Sequence, residues 1–212
     1  MTDVRAARSV SALAIVVAVT ALAGCGGSSA VANHVVVVGD SILQMSTKEV
    51  DAALRAAGWK PAVTGVFGST IRGGTHGPWP KTVHDLVRLL DPAVAVVELG
   101  TNDAGEPRCC AHVPDDIDAL MHELRDVPHV LWLNVQEGRT FSATSEHVNR
   151  DLRAATKRWS NLRIVDFSDR FKGHPDWHSG PGPHLTAAGQ IAFAQLVVQA
   201  TAPWAPHTAK KS

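Results

Sequence analysis

Five short apolar runs set the strongest limit on what this chain can fold into. HVVVVG (34–39), PAVTGV (61–66), AVAVVELG (93–100), HVLWLN (129–134) and LRIVDF (162–167) carry hydrophobic side chains largely at consecutive, not alternate, positions. Strands of that kind need cover on both faces, which a parallel sheet obtains from helices above and below it. The segments between them have helical spacing. In KTVHDLVRLLD the apolar positions are Val83, Leu86, Val87 and Leu90, and Pro92 ends the pattern. Pro114 opens PDDIDALMHELRD, with acids at the positive end of that helix. SEHVNRDLRAATKRW ends in a basic turn, and Thr186 is placed to cap TAAGQIAFAQLVVQA. In STKEVDAALRAAG, Ser46 and Glu49 have the spacing of a capping box, so a helix is expected to start there and to stop at Gly58. The alternation predicts an α/β fold: a flavodoxin-like three-layer sandwich around a five-stranded parallel sheet.

A chain of 212 residues, 45% hydrophobic, has material for one well-buried domain. Its formal net charge is zero, and Lys and Arg are scattered, so no electrostatic footprint for nucleic acid is present. Nothing in the sequence specifies an assembly, and a monomer is the expectation.

The first thirty residues have a different character. Arg5 and Arg8 precede an apolar run from Val10 to Ala23, and the run ends in LAGCGG. Leu22-Ala23-Gly24-Cys25 resembles the lipobox of bacterial lipoproteins, in which the cysteine is lipidated and becomes the new N-terminus. An ordinary secretory signal cut near Ala30 or Ala32 is the alternative, and either reading exports the protein. The expected organisation is a signal peptide at 1–24, a small-residue tether at 25–33, the domain at 34–204 and a tail at 205–212. The protein is then anchored in the cell membrane through lipid on Cys25. In an oxidising compartment the adjacent Cys109 and Cys110 either form a vicinal disulfide or stay reduced. No second cysteine pair exists to complete a zinc site, and His112 nearby reads as a solvated loop residue.

Ligands of open parallel sheets bind beyond the carboxyl ends of the strands. Four polar or glycine positions stand there. Ser41 follows the first strand in VVGDSIL, Gly68 the second in GVFGST, Asn102 the third in ELGTND, and His184 lies after the fifth, ahead of the last helix. A serine becomes a good nucleophile only when a neighbouring imidazole takes its proton. Negative charge then grows on the attacked carbonyl oxygen, where backbone N–H groups and an amide side chain can converge on it.

VVVVGDSILQ, GVFGSTI, VVELGTND and HLTAAG resemble, in this order, the four blocks of the SGNH hydrolases, also called GDSL-type esterases. The likeness spans roughly Val35 to Ala200. It implies a flavodoxin-like sheet and hydrolysis of carboxylic esters with no metal or organic cofactor. Ser41 would be the nucleophile, His184 the base, and Gly68 and Asn102 oxyanion donors. The substrate would be a small ester or an acylated glycan or lipid.

The family pattern places an acid three residues before the histidine, and here that position is Pro181. Three readings stay open. Asp176 could reach back to His184, a backbone carbonyl could orient the ring, or the cleft could bind without turnover. Asp176 is carried as the third catalytic residue. Asp40 is expected to support the nucleophile turn, Asp103 to bond backbone N–H groups of its own loop, and Asn149 to lie on a polar helix face. Trp177 is a pocket candidate because it is near His184 in sequence.

Overall fold

The computed structural model describes residues 33–74, 77–106, 109–139 and 142–206. The signal segment, the tether, Cys25 and the end of the tail lie outside the described residues.

Strands β1 (His34–Gly39), β2 (Lys60–Gly65), β5 (Val94–Glu98), β6 (His129–Leu133) and β7 (Leu162–Val165) form one parallel sheet in the order β2-β1-β5-β6-β7. All five apolar runs become its strands. A small antiparallel pair, β3 (Gly73–Gly74) with β4 (Gly77–Pro78), lies in the connection after β2 and is additional to the expected elements.

Two cores explain the unbroken hydrophobicity of the strands. Val36, Val38, Ala95, Val97, Val130 and Trp132 belong to one core. Val35, Val37, Val94, Val96, Leu131 and Leu133 belong to the other. Successive strand residues point to opposite faces, so a strand with a core on each side must be apolar at every position. Helices α2 (Trp79–Leu90), α4 (Val113–Glu123) and α5 (Ser142–Ala155) contribute to the first core. Helices α1 (Ser41–Ala56), α6 (Phe167–Lys172) and α7 (Ala187–Thr201) contribute to the second.

Helix α1 corrects the expected capping box. It begins at Ser41, and Asp40 is its N-cap, accepting from the Ile42 N–H at 2.9 Å. Ile42, Leu43, Ser46, Val50 and Leu54 form its buried side. Ser46 is therefore inside the helix, donating from Oγ to the Ile42 carbonyl at 2.8 Å. The apolar face extends a full turn ahead of Ser46, and burial of that turn decides where the helix starts.

The sheet order reverses between β1 and β5. In register, Gly39 stands opposite Gly65 on one side and Glu98 on the other. The carboxyl ends of these three strands are therefore level, which gathers the loops that follow them at the switch point.

Candidate active site

Ser41 is the first residue of α1, directly after the end of β1, and is 6% exposed. The helix N-terminus places its positive dipole end beside this hydroxyl. His184 arrives from the other end of the chain, with Nε2 at 3.0 Å from Ser41 Oγ. That contact joins residues 143 positions apart.

The loop after β2 closes over the same edge. The Val66 N–H donates to the Gly39 carbonyl at 3.0 Å, and the Phe67 N–H to Gln44 Oε1 at 2.7 Å. Gly68 has φ +70, and a side chain there would meet no atom within 4 Å. Glycine is favoured at this position by its left-handed backbone.

A short helix, α3 (Thr101–Gly105), follows β5 and carries Asn102 and Asp103. The Asn102 amide donates to the Ser69 carbonyl at 2.8 Å and to Asp40 Oδ2 at 3.2 Å. It thus bridges the turn that carries Ser41 and the Gly68 loop. Asp103 accepts the Ile71 N–H on both oxygens, at 3.2 and 3.0 Å. It fixes the neighbouring Gly68 loop, where the sequence had suggested its own. Burial pushes its carboxyl up to about 7.

Glu98 is a functional candidate that sequence reasoning missed. It ends β5 and is 3% exposed; Oε2 accepts the N–H groups of Asp40 and Leu43, both at 3.2 Å. Burial first, and the neighbouring Asp40 carboxylate second, hold its carboxyl well above the usual range, and it hydrogen-bonds Asp40. Burial also pushes Asp40 up to about 7. The turn that carries Ser41 therefore rests on two neighbouring buried carboxyl groups, each held above the usual carboxylate range. A charged residue at the end of an otherwise apolar strand was the available signal.

His184 is presented by a closed hairpin. The Ser179 N–H donates to the His184 carbonyl and the Thr186 N–H to the Trp177 carbonyl, each at 3.0 Å. Thr186 caps α7, accepting from the Gly189 N–H at 3.2 Å. Gly189 packs directly on the Trp177 carbonyl, leaving no room for a Cβ. Trp177 stacks on His174 and packs edge-on against Phe171, so its ring serves packing.

Asp176 does not join the site. It is exposed, and its backbone carbonyl accepts from Thr186 Oγ1 at 2.8 Å. Among the described residues the His184 ring has one hydrogen bond, to Ser41, so no carboxylate orients it. Asp176 lies within the 3₁₀ turn over Pro175–Trp177, at the start of that hairpin.

Asn149 also differs from its expectation. It is fully buried in α5, accepting from the Val135 N–H at 2.7 Å and donating to the Val135 carbonyl and to Glu137 Oε1, each at 2.8 Å. Ser145, Val148 and Leu152 are buried on the same helix, a spacing that marks the inward side. Cys109 and Cys110 are joined by a disulfide, and with Thr70 and Asp103 they line a cavity of about 150 Å³. Among the described residues no three His, Cys, Asp or Glu side chains come together as metal ligands would.

The GDSL-like lipase/acylhydrolase family model matches residues 37–192, a stretch that includes Ser41, Gly68, Asn102 and His184. The chain belongs to that family. It is 27% identical over 104 residues to the O-acetyltransferase OatA of Staphylococcus aureus (strain NCTC 8325 / PS 47), covering 49% of this chain and 15% of the relative. The chain thus spans about a sixth of the length of the curated relatives it matches. Among solved structures it resembles a lipase/acylhydrolase from Enterococcus faecalis, with TM-score 0.67 and 17% identity over 84% of this chain and 99% of that one. The C-terminal catalytic domain of Streptococcus pneumoniae peptidoglycan O-acetyltransferase A matches with TM-score 0.59 and 18% identity, over 82% and 95%. These likenesses establish the shared fold: a five-stranded parallel sheet flanked by helices.

Proposed function

We propose that this chain is an exported serine esterase that removes acyl or acetyl groups from a cell-envelope glycan or lipid. The observation that carries the reading is the 3.0 Å contact between Ser41 Oγ and His184 Nε2 at the carboxyl edge of the sheet. With the imidazole proton on Nδ1, Nε2 takes the Ser41 hydroxyl proton as Oγ bonds to the ester carbonyl carbon. The oxyanion is met by the N–H groups of Ser41 and Gly68 and by the Asn102 amide, which exchanges one of its internal bonds for the substrate. Collapse breaks the ester C–O bond, and the leaving alcohol takes the proton from Nε2. Water then attacks the acyl-enzyme, giving its proton to Nε2, and the acid leaves as Ser41 Oγ recovers that proton.

The test compares a protein starting after Cys25 with its Ser41→Ala form on p-nitrophenyl acetate. Turnover that disappears with Ser41 supports the reading. Turnover by the wild type no faster than by Ser41→Ala on short, medium and long acyl chains rejects it in favour of a binding cleft. The likeness to OatA favours a second reading, in which a sugar hydroxyl replaces water in the last step. Partition of acyl product between water and added sugar acceptors separates the two.

Export and anchoring belong to the same proposal. Among the described residues no helix is long and apolar enough to cross a membrane. A membrane-bound fraction unchanged by Cys25→Ala would reject the anchor.

A further inference from the structure

We infer that Arg139 and Gln136 are positioning residues for His184, holding its loop by backbone carbonyls where, among the described residues, no carboxylate bonds the ring. The inference rests on the reading of Ser41 and His184 as the reacting pair. The loop Gly180-Pro181-Gly182-Pro183 contains two prolines, which have no N–H, so it has few donors with which to satisfy its own carbonyls. The structure supplies donors from the loop after β6. Arg139 donates from Nε and Nη2 to the Gly182 carbonyl, at 3.2 and 3.1 Å, and from Nη2 to the Gly180 carbonyl in a short bond. Gln136, 5% exposed, donates from Nε2 to the Pro183 carbonyl at 3.2 Å. The carbonyl of the residue directly before His184 is thus held by a buried amide.

These donors are themselves held. Asn149 bonds both the N–H and the carbonyl of Val135, and Ser168 Oγ accepts the Glu137 N–H at 2.9 Å. Hydrogen bonds from Asn149 and Ser168 thus fix the backbone at Val135 and Glu137, and the same segment carries Gln136 and Arg139 to the histidine loop. A guanidinium is suited to the last step because its planar fork reaches two carbonyls at fixed geometry, which a lysine ammonium does not reproduce. The arrangement supplies orientation and no negative charge. It therefore takes over the acid's positioning role, while among the described residues the imidazolium has no carboxylate partner.

The test uses Arg139→Ala, Arg139→Lys and Gln136→Ala, read by steady-state kinetics on p-nitrophenyl acetate, thermal melting and amide hydrogen exchange. A reacting group displaced by about 1 Å costs roughly 100-fold. Arg139→Ala is expected to lower kcat about 10- to 100-fold with KM within about threefold, in line with that cost. Added guanidinium ion is expected to restore part of kcat, whereas Arg139→Lys recovers little. Amides of 178–186 are expected to exchange about tenfold faster while the rest of the domain is unchanged. Unchanged exchange overturns the inference, as does a loosened loop with unaltered kcat or an activity loss that tracks the loss of folded protein. If the wild type is no faster than Ser41→Ala, the esterase reading falls, and with it the reacting pair that Arg139 and Gln136 were inferred to position.

Discussion

The Asn102 side-chain amide is bound to the carboxylate of Asp40, the residue immediately before the nucleophile candidate, with Nδ2 to Oδ2 at 3.2 Å. Replacing Asn102 by Ala removes a donor that the oxyanion would use, and kcat is expected to fall about 100- to 1,000-fold. Asn102→Asp should do more damage. It sets the introduced carboxyl against Asp40 Oδ2 and the Ser69 carbonyl, both of which lose the amide donor. Its stability should lie about 1–3 kcal/mol below that of Asn102→Ala at neutral pH, with the gap narrowing as the acids protonate. Melting of both variants at acidic and neutral pH checks the sign.

Glu98 can be separated into shape and charge. Glu98→Gln retains an oxygen for the Asp40 and Leu43 N–H groups and a donor toward Asp40, so activity within about threefold of wild type is expected. Glu98→Ala leaves the Leu43 N–H and a buried Asp40 carboxyl without that partner, for a cost of about 2–3 kcal/mol. Denaturant unfolding of the two variants decides; equal losses would rule out a stabilising role for the Glu98 bonds to the Asp40 and Leu43 N–H groups.

Asp176→Asn is expected to leave kcat and KM within about twofold of wild type, because the exposed carboxylate makes no hydrogen bond to His184 among the described residues. A loss of about 100-fold or more, of the kind produced by removing a triad acid, would return Asp176 to the mechanism.

Asp103 has a folded pKa raised to about 7 from an ordinary value of 3.8 by burial. The protonated form is therefore favoured in the folded state. Its contribution to stability is fully present below about pH 4 and is lost as pH rises toward about 7. Asp103→Asn keeps an acceptor for the Ile71 N–H and does not titrate. The difference in Tm, wild type minus Asp103→Asn, should therefore fall by a few degrees between about pH 4 and about pH 8. A difference independent of pH would contradict the raised value.

Patterns local to the chain were legible. Runs such as HVVVVG announce strands buried on both faces, and the strand-end rule picks out Ser41, Gly68 and Asn102 without knowledge of their partners. Two signals were present and were passed over. Glu98 is a charged residue closing an apolar strand, and Asn149 sits beside Val148 on the inward side of α5. The capping box at Ser46 was a local pattern without a local cause, because burial of Ile42 and Leu43 carries the helix back to Ser41.

What the sequence by itself determined is the layered α/β architecture and the residue types standing at the strand ends, since both follow from the hydrophobicity and spacing of neighbouring positions. Only the tertiary structure decided which polar groups meet. Asp176 is eight residues from His184 yet makes no hydrogen bond to it among the described residues, whereas Gln136 and Arg139, more than forty residues away, hold the loop that carries it. Hydrogen-bond partners are chosen by where the packed sheet brings loop ends together and by which buried carbonyls need a donor. Distance along the chain does not encode that choice.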